Sequence, residues 1–209
     1  ALTDAVFLYA EKRETPMHVG GLSLYTLPEG VNQREFLHGL LQETLTADDF
    51  REPFGEYVAT GRAGPLGPFY WEKDQHFDTD YHIRHSALPR PGRYRELFAL
   101  VSRLHATLLD RNRPLWEMHL IEGLQKRQFA VYSKYHHAAI YGARSIHLTQ
   151  SMFSTSAQTR VHGSPLSLES QERYRAMLEQ HHPAAFSEQE LRNVSEVIKE
   201  RFDTSMHVY

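Results

Sequence analysis

A mixed α/β fold, a mixed sheet flanked by helices with linking helices toward the C-terminal end, is predicted by three features of the sequence. Phe129, Val131, Ser133 and Tyr135 alternate with Ala130, Tyr132, Lys134 and His136 at the period of a strand. Leu97, Leu100, Val101, Leu104 and Leu108 recur at helical spacing, the stripe of an amphipathic helix packed on a sheet. Patterns of both kinds are strung along 209 residues, 41% apolar and 23% charged, enough for one full core or two small ones.

Thr3 is placed to cap a short helix through Glu11, with Val6 and Phe7 turned inward. Met17 to Leu27 reads as a strand in which Gly20-Gly21 marks a bulge or a close backbone approach. Asn32 and Glu35 stand at capping-box spacing ahead of Phe36, Leu37, Leu40, Leu41 and Leu45, which predicts a helix over 33–46. Residues 61–68 read as loop. Strands follow at 69–72 and 81–88, the second stopped by Pro89-Arg90-Pro91-Gly92. After the helix over 97–108, strands at 116–121 and 128–135 are joined as a hairpin around Gly123 to Arg127. The pattern turns helical from Gly142 to about Phe153. Beyond it come a polar helix from Ser164-Pro165 to His181 and another opened by Ser187 and Glu190, both with narrow apolar stripes suited to docking or linking.

The composition excludes several classes. A net charge of -3 lacks the basic excess that neutralises a phosphate backbone, so nucleic acid is not an expected partner. With no cysteine there is no disulfide, thiolate nucleophile or thiolate metal site, which fits a reducing, cytoplasmic setting. No run is long and apolar enough for a membrane span, so any membrane contact is expected to be peripheral. His82 and His85, with Asp78 and Asp80 nearby, suggest a metal at first sight. Residues i and i+3 on a strand face opposite ways, however, and no third ligand follows at a recognised spacing, so no metal is expected.

His136-His137 is the chemically informative pair, because it stands where the strand runs out and Gly142 releases the chain. A neutral imidazole there can take a proton from a hydroxyl and hand it on. Adjacency alone is weak evidence, since the chain holds 14 histidines and a second pair, His181-His182, before Pro183. A helix beginning just after the pair would offer its N-terminus to a developing anion.

Several ordered segments are more specific. Pro16-Met17-His18-Val19-Gly20-Gly21-Leu22 comes first, then Phe77-Asp78, Tyr81-His82 and Arg84-His85 ahead of Leu88-Pro89 and Pro91-Gly92. Leu109-Asp110-Arg111, Arg113-Pro114-Leu115-Trp116-Glu117 and Leu120-Ile121-Glu122-Gly123 complete the series. Together they resemble the N-terminal half of the bacterial wax ester synthase/diacylglycerol acyltransferase family, over nearly all of residues 2–155. That family is similar to the chloramphenicol acetyltransferase and condensation-domain superfamily, in which two mixed α/β halves flank a tunnel carrying an HHxxxDG motif. The resemblance implies a CoA-dependent acyltransferase-like half over 1–155 and a helical connection over 156–209 toward a C-terminal half-domain absent from this chain.

The same resemblance implies transfer of a fatty acyl group from acyl-CoA, a co-substrate rather than a cofactor, to a long-chain alcohol or diacylglycerol in a ternary complex. His137 matches the general base and His136 its supporting neighbour, with Gly142 shaping the loop. Pro114, Leu115 and Trp116 match a motif near the substrate channel, although a buried indole also anchors a core by area alone. A peripheral position on membranes or lipid inclusions is a further expectation. No GxSxG elbow is present, which argues against a serine acyl-enzyme.

Tyr141 departs from the pattern: it occupies the place of the motif aspartate, which in the superfamily pairs with an arginine and fixes the loop. A substitute hydrogen bond from the tyrosine hydroxyl, an impaired relative and an altered residue are three readings of it. An arginine partner, if present, has lost its carboxylate. The rival to an enzyme is a catalytically impaired, condensation-like module that binds acyl chains or a partner.

Overall fold

The computed structural model describes residues 2–46, 49–61, 69–140, 156 and 166–181. Its elements run α1 (Leu2–Ala10), β1 (His18–Thr26), α2 (Gln33–Leu45), β2 (Glu56–Thr60), β3 (Phe69–Lys73), α3 (Thr79–His82), β4 (Ile83–Ala87), α4 (Tyr94–Ala106), β5 (Trp116–Glu122), β6 (Gln128–His136) and α5 (Leu168–His181). Two compact units emerge, Ala1–Gln171 and Glu172–Tyr209, and everything below concerns the first. The helices expected after Gly142 and after Ser187 lie outside the described residues, as does most of the 61–68 loop.

Strands β1, β6, β5 and β4 form one mixed sheet in that order. Two antiparallel pairings, β1 on β6 and β6 on β5, are followed by a parallel one between β5 and β4. Alternation along the strands gives the sheet two apolar faces. Leu97, Leu100, Val101 and Leu104 of α4 pack with Ile121, Ala130 and Tyr132 on one face. Phe36, Leu37, Leu40 and Leu41 of α2 pack with Leu120, Phe129 and Val131 on the other. The side chain of Asn32 caps α2 by accepting from the amides of Arg34 and Glu35. A separate antiparallel ribbon, β2 on β3, carries Val58, Phe69 and Trp71 against Leu8 of α1 and Ala138–Ala139.

Four local expectations change. Thr3 lies within α1, which begins at Leu2, so it is not the cap. Leu8 is the inward residue of that helix; Val6, two positions away and on another side of the 3.6-residue turn, is 61% exposed. The strand expected from Tyr81 begins at Ile83, because Asp78 accepts from the amides of Asp80 and Tyr81 and winds the preceding residues into α3. Helix α4 stops at Ala106, short of Leu108, where sheet side chains take its last carbonyls: Lys134 Nζ donates to Leu104 O and Thr107 O, each at 2.8 Å, and His18 Nε2 meets His105 O at 2.7 Å.

The double glycine is no bulge, since β1 pairs with β6 without interruption from His18↔His136 to Thr26↔Gln128. Gly20 instead admits two side chains. A Cβ there would lie 2.7 Å from the Tyr132 hydroxyl oxygen and 3.0 Å from His105 Nδ1, two atoms that hydrogen-bond each other at 2.9 Å. Gly20→Ala is therefore expected to cost about 1–3 kcal/mol of stability by overpacking, whereas Gly21→Ala, with nothing within 4 Å, leaves this clash untouched. Urea unfolding of the two variants distinguishes them.

Candidate active site

Strand β6 ends at His136, and the chain turns at once: the carbonyl of His136 accepts from the amides of Ala139 at 2.9 Å and Ile140 at 3.2 Å. The two histidines are fixed by different backbones. His136 N–H donates to Leu115 O at 3.0 Å, and His137 N–H to Met17 O at 2.8 Å. Leu115 and Met17 lead into β5 and β1, so both neighbouring strands hold the turn.

His136 has no exposed surface. Its Nδ1 accepts from the Ala138 amide at 3.0 Å, which places the proton of the neutral ring on Nε2. That nitrogen faces Glu11 Oε1 at 3.4 Å, an electrostatic contact without hydrogen-bond alignment. Burial drives the His136 pKa down to about 4 against the pull of Glu11, so the ring is neutral at neutral pH. His137 differs. It is half-buried, its ring stacks on Phe7 of α1 with centroids 5.0 Å apart and planes at 22°, and burial lowers its pKa from 6.5.

Sequence reasoning did not single out the residues that organise this turn. Glu11, just past α1 and nearly sealed from solvent, accepts from Met17 N–H at 3.2 Å and pairs through Oε2 with Arg111 at 3.1 Å. Arg111 also donates to Leu8 O at 2.6 Å. One buried carboxylate thus gathers α1, the entry to β1, the 109–113 loop and His136. The signal was available, because Arg111 belongs to a segment that carried the family resemblance, but a carboxylate at a helix end reads as an ordinary surface residue.

Pro114, Leu115 and Trp116 are fully buried. Leu115 packs with Leu8, Ala138 and Ala139. The Trp116 indole donates to Phe54 O at 2.8 Å and stacks on His82, with Phe50, Phe54 and Phe77 around it. The three form the wall behind the histidine turn rather than a surface open to a ligand. Tyr141 and Gly142 lie outside the described residues. His82 is buried in α3 and meets Trp116 O through Nδ1, while His85 on β4 faces Glu122, so the two do not converge.

A cavity of about 730 Å³ opens beside the turn, lined by Ala138, Ala139 and Ile140 together with Phe50, Phe54 and Trp71. Arg51 lines it as well. Its Nε is buried without a hydrogen-bond partner, its guanidinium lies 5.7 Å from the Phe54 ring centroid, and burial lowers its pKa.

His136 and His82, each depressed from 6.5 to about 4, take up protons in the unfolded chain before they do in the folded one. Stability is expected to be full above pH 6.5 and to fall as the pH drops toward 4. Each tenfold loss of proton affinity is worth about 1.4 kcal/mol. Glu117, which burial raises but the nearby His119 ring and the Lys134 ammonium hold at about 2, adds a second loss below pH 4.5. Chemical unfolding across this range measures both.

The wax ester synthase/diacylglycerol acyltransferase catalytic domain matches residues 1–208. A probable diacylglycerol O-acyltransferase of Mycobacterium tuberculosis is 47% identical over 151 residues, 72% of this chain and 33% of its own. The O-acyltransferase WSD of Acinetobacter baylyi is 38% identical over 158 residues, 72% of this chain and 31% of its own. Among solved structures, the wax ester synthase/diacylglycerol acyltransferase from Marinobacter aquaeolei VT8 superposes with a TM-score of 0.72 at 40% identity, covering 80% of this chain and 39% of that one. The first condensation domain of the calcium-dependent antibiotic synthetase shares the fold alone, with a TM-score of 0.50 at 17% identity. The chain spans about a third of the length of the curated relatives it matches, and it belongs to the wax ester synthase/diacylglycerol acyltransferase family.

Proposed function

We propose that this chain is the base-bearing half of an O-acyltransferase that moves a fatty acyl group from acyl-CoA to a long-chain alcohol or diacylglycerol. The carrying observation is the unequal burial of the adjacent histidines. His136 is sealed and locked in one tautomer. His137 is neutral above its lowered pKa, half-open and steadied by Phe7, the state a general base requires.

In the proposed reaction His137 takes the hydroxyl proton as the alcohol oxygen attacks the thioester carbonyl. The tetrahedral adduct collapses with cleavage of the carbon–sulfur bond, and the imidazolium returns its proton to the CoA thiolate. Neither a metal nor an acyl-enzyme enters this scheme. The second wall of the site, with the donors that steady the adduct's oxyanion, is assigned to the C-terminal half-domain of the longer relatives.

His137→Ala in the full protein that contains this chain is expected to slow release of free CoA from palmitoyl-CoA and hexadecanol by about 10² to 10⁴. In the unaltered protein, the acidic limb of kcat/KM should lie below pH 6.5, because burial depresses the base, and it should vanish in the variant. Undiminished turnover by His137→Ala removes the histidine from the mechanism.

A second reading, an impaired module that binds acyl chains or a partner, is favoured by Arg51. Its buried, unpartnered Nε borders the cavity shared with Ala138–Ile140, immediately before Tyr141, where the family pattern carries a carboxylate. We take Arg51 as the cation that has lost its partner. Tyr141→Asp is then expected to gain about 1.5–3 kcal/mol, the worth of a hydrogen bond to a charged group, and Arg51→Met should abolish that gain. Saturable acyl-chain association without CoA release, restored to turnover by Tyr141→Asp, would establish the module reading.

A further inference from the structure

Two guanidiniums lie against one ring at the start of the edge strand β4. Arg84 and Arg113 place their guanidinium carbons 4.7 and 4.1 Å from the centroid of Tyr81. The two positive charges are no farther apart than the sum of those distances, and both side chains are half-buried. Like charges held this close repel, and partial burial removes water that would screen them. Tyr81 offsets part of that cost, because each cation rests over the negative face of its ring. Among the described residues no carboxylate completes the balance, since the ion pairs there are made by other groups. Arg84 spends Nε on the Tyr81 carbonyl at 2.7 Å, which leaves its terminal nitrogens, and Arg113 has no side-chain hydrogen bond among those residues. Of the aspartates beside them in sequence, Asp78 and Asp110 accept from the amides of Asp80, Tyr81 and Asn112. Asp80 is exposed and pairs with neither arginine.

The pair sits on the rim of the sheet that carries the histidines. Trp116, the first residue of β5, lies opposite Tyr135 near the end of β6, and Ile83, the first of β4, lies opposite Met118. Arg113 thus precedes the strand adjoining β6. Tyr81 and Arg84 flank the start of the next strand, about 10 Å across the sheet from β6 at two strand spacings. His82 registers both charges: burial chiefly, with Arg113 and Arg84 added, drives its pKa down to about 4 against the pull of the Trp116 carbonyl and Asp74.

We infer that Arg84 and Arg113, held on the Tyr81 ring, form a binding site for phosphate, that of the nucleotide end of acyl-CoA. A phosphate dianion supplies the charge that this cation pair lacks, and a guanidinium meets phosphate oxygens with two parallel N–H donors. The inference rests on the acyl-transfer reading for the choice of ligand. Alcohol and diacylglycerol acceptors are uncharged, so of the two substrates acyl-CoA alone carries phosphate. Its thioester and its phosphates stand at opposite ends of a pantetheine arm, a layout matched by a base and a cation pair set apart along one rim.

Calorimetric titration of adenosine 3′,5′-bisphosphate into the full protein that contains this chain tests the site without any acyl transfer. Binding is expected to weaken with salt and to fall about tenfold in Arg84→Met and in Arg113→Met, the loss of a hydrogen bond to a charged group. Arg113→Lys, which keeps the charge, should recover part of it. In turnover, each Met variant should raise KM for palmitoyl-CoA by about the same factor and leave KM for S-palmitoylpantetheine, which has no phosphate, where it was. No bisphosphate binding, binding untouched by either Met variant, or equal loss with both donors overturns the inference. Equal loss assigns the arginines to the fold or to a carboxylate of the C-terminal half-domain. Bisphosphate binding in a protein inert toward acyl-CoA refutes the acyl-transfer reading and not this site, whereas failure of the site leaves the His137→Ala result to stand by itself.

Discussion

A carboxylate sealed from water has to be answered by partners, and Glu11 is answered by three parts of the chain at once. The amide of Met17, the guanidinium of Arg111 and the edge of His136 all converge on it. Removing one partner of such a pair typically costs about 3–5 kcal/mol, because the survivor stays buried and charged. That penalty fixes where α1 sits, and α1 supplies Phe7, the ring against which His137 lies. The attitude of the candidate base is therefore set by an interaction it does not itself make.

A second buried ionic group braces the same sheet face. Lys134, with no exposed surface, reaches Glu117 Oε1 at 2.6 Å while donating to two carbonyls at the end of α4. All three of its protons are used, the condition under which a buried ammonium is tolerated. Position 134 lies two residues before His136 on β6 and faces the same way, so the tie that ends α4 also holds the strand that presents the histidines. Burial acts on charge here in opposite senses: it is compensated at Lys134 and Glu117, and left uncompensated at His136, which stays neutral.

The apolar spacing was enough to reveal helices α2 and α4, the β5–β6 hairpin and the strand end that carries the histidines. The two helices bury one face each, which their periodicity records, whereas β5 and β6 lie inside the sheet and are covered on both faces. Strand β2 left no such trace, because Glu56 to Thr60 is half-covered on both sides and belongs to a two-stranded ribbon. The helical turn ahead of β4 was hidden because it depends on one aspartate accepting two amides. At the site, residue type pointed to His136 and His137, but their division of labour required coordinates. Glu11 and Arg51 were out of reach for a related reason, since a charged residue's sequence neighbours do not report whether tertiary packing will close over it.

That closing-over also explains why the pair of histidines is not redundant. The chain turns directly after His136, and the two imidazoles part there: the inner ring lies sealed beside Glu11, while the outer ring lies half-buried against Phe7 of α1. The inner ring, held as the Nε2–H tautomer by Ala138, buttresses the turn through an amide and not through charge. If it were protonated it would lose that acceptor and place a cation beside Arg111, whose charge already opposes it. The outer ring bears no such obligation: burial lowers its pKa while part of the ring stays open to solvent, the condition the proposed base role calls for. The surrounding packing keeps the inner ring neutral without a dedicated hydrogen bond to Nε2.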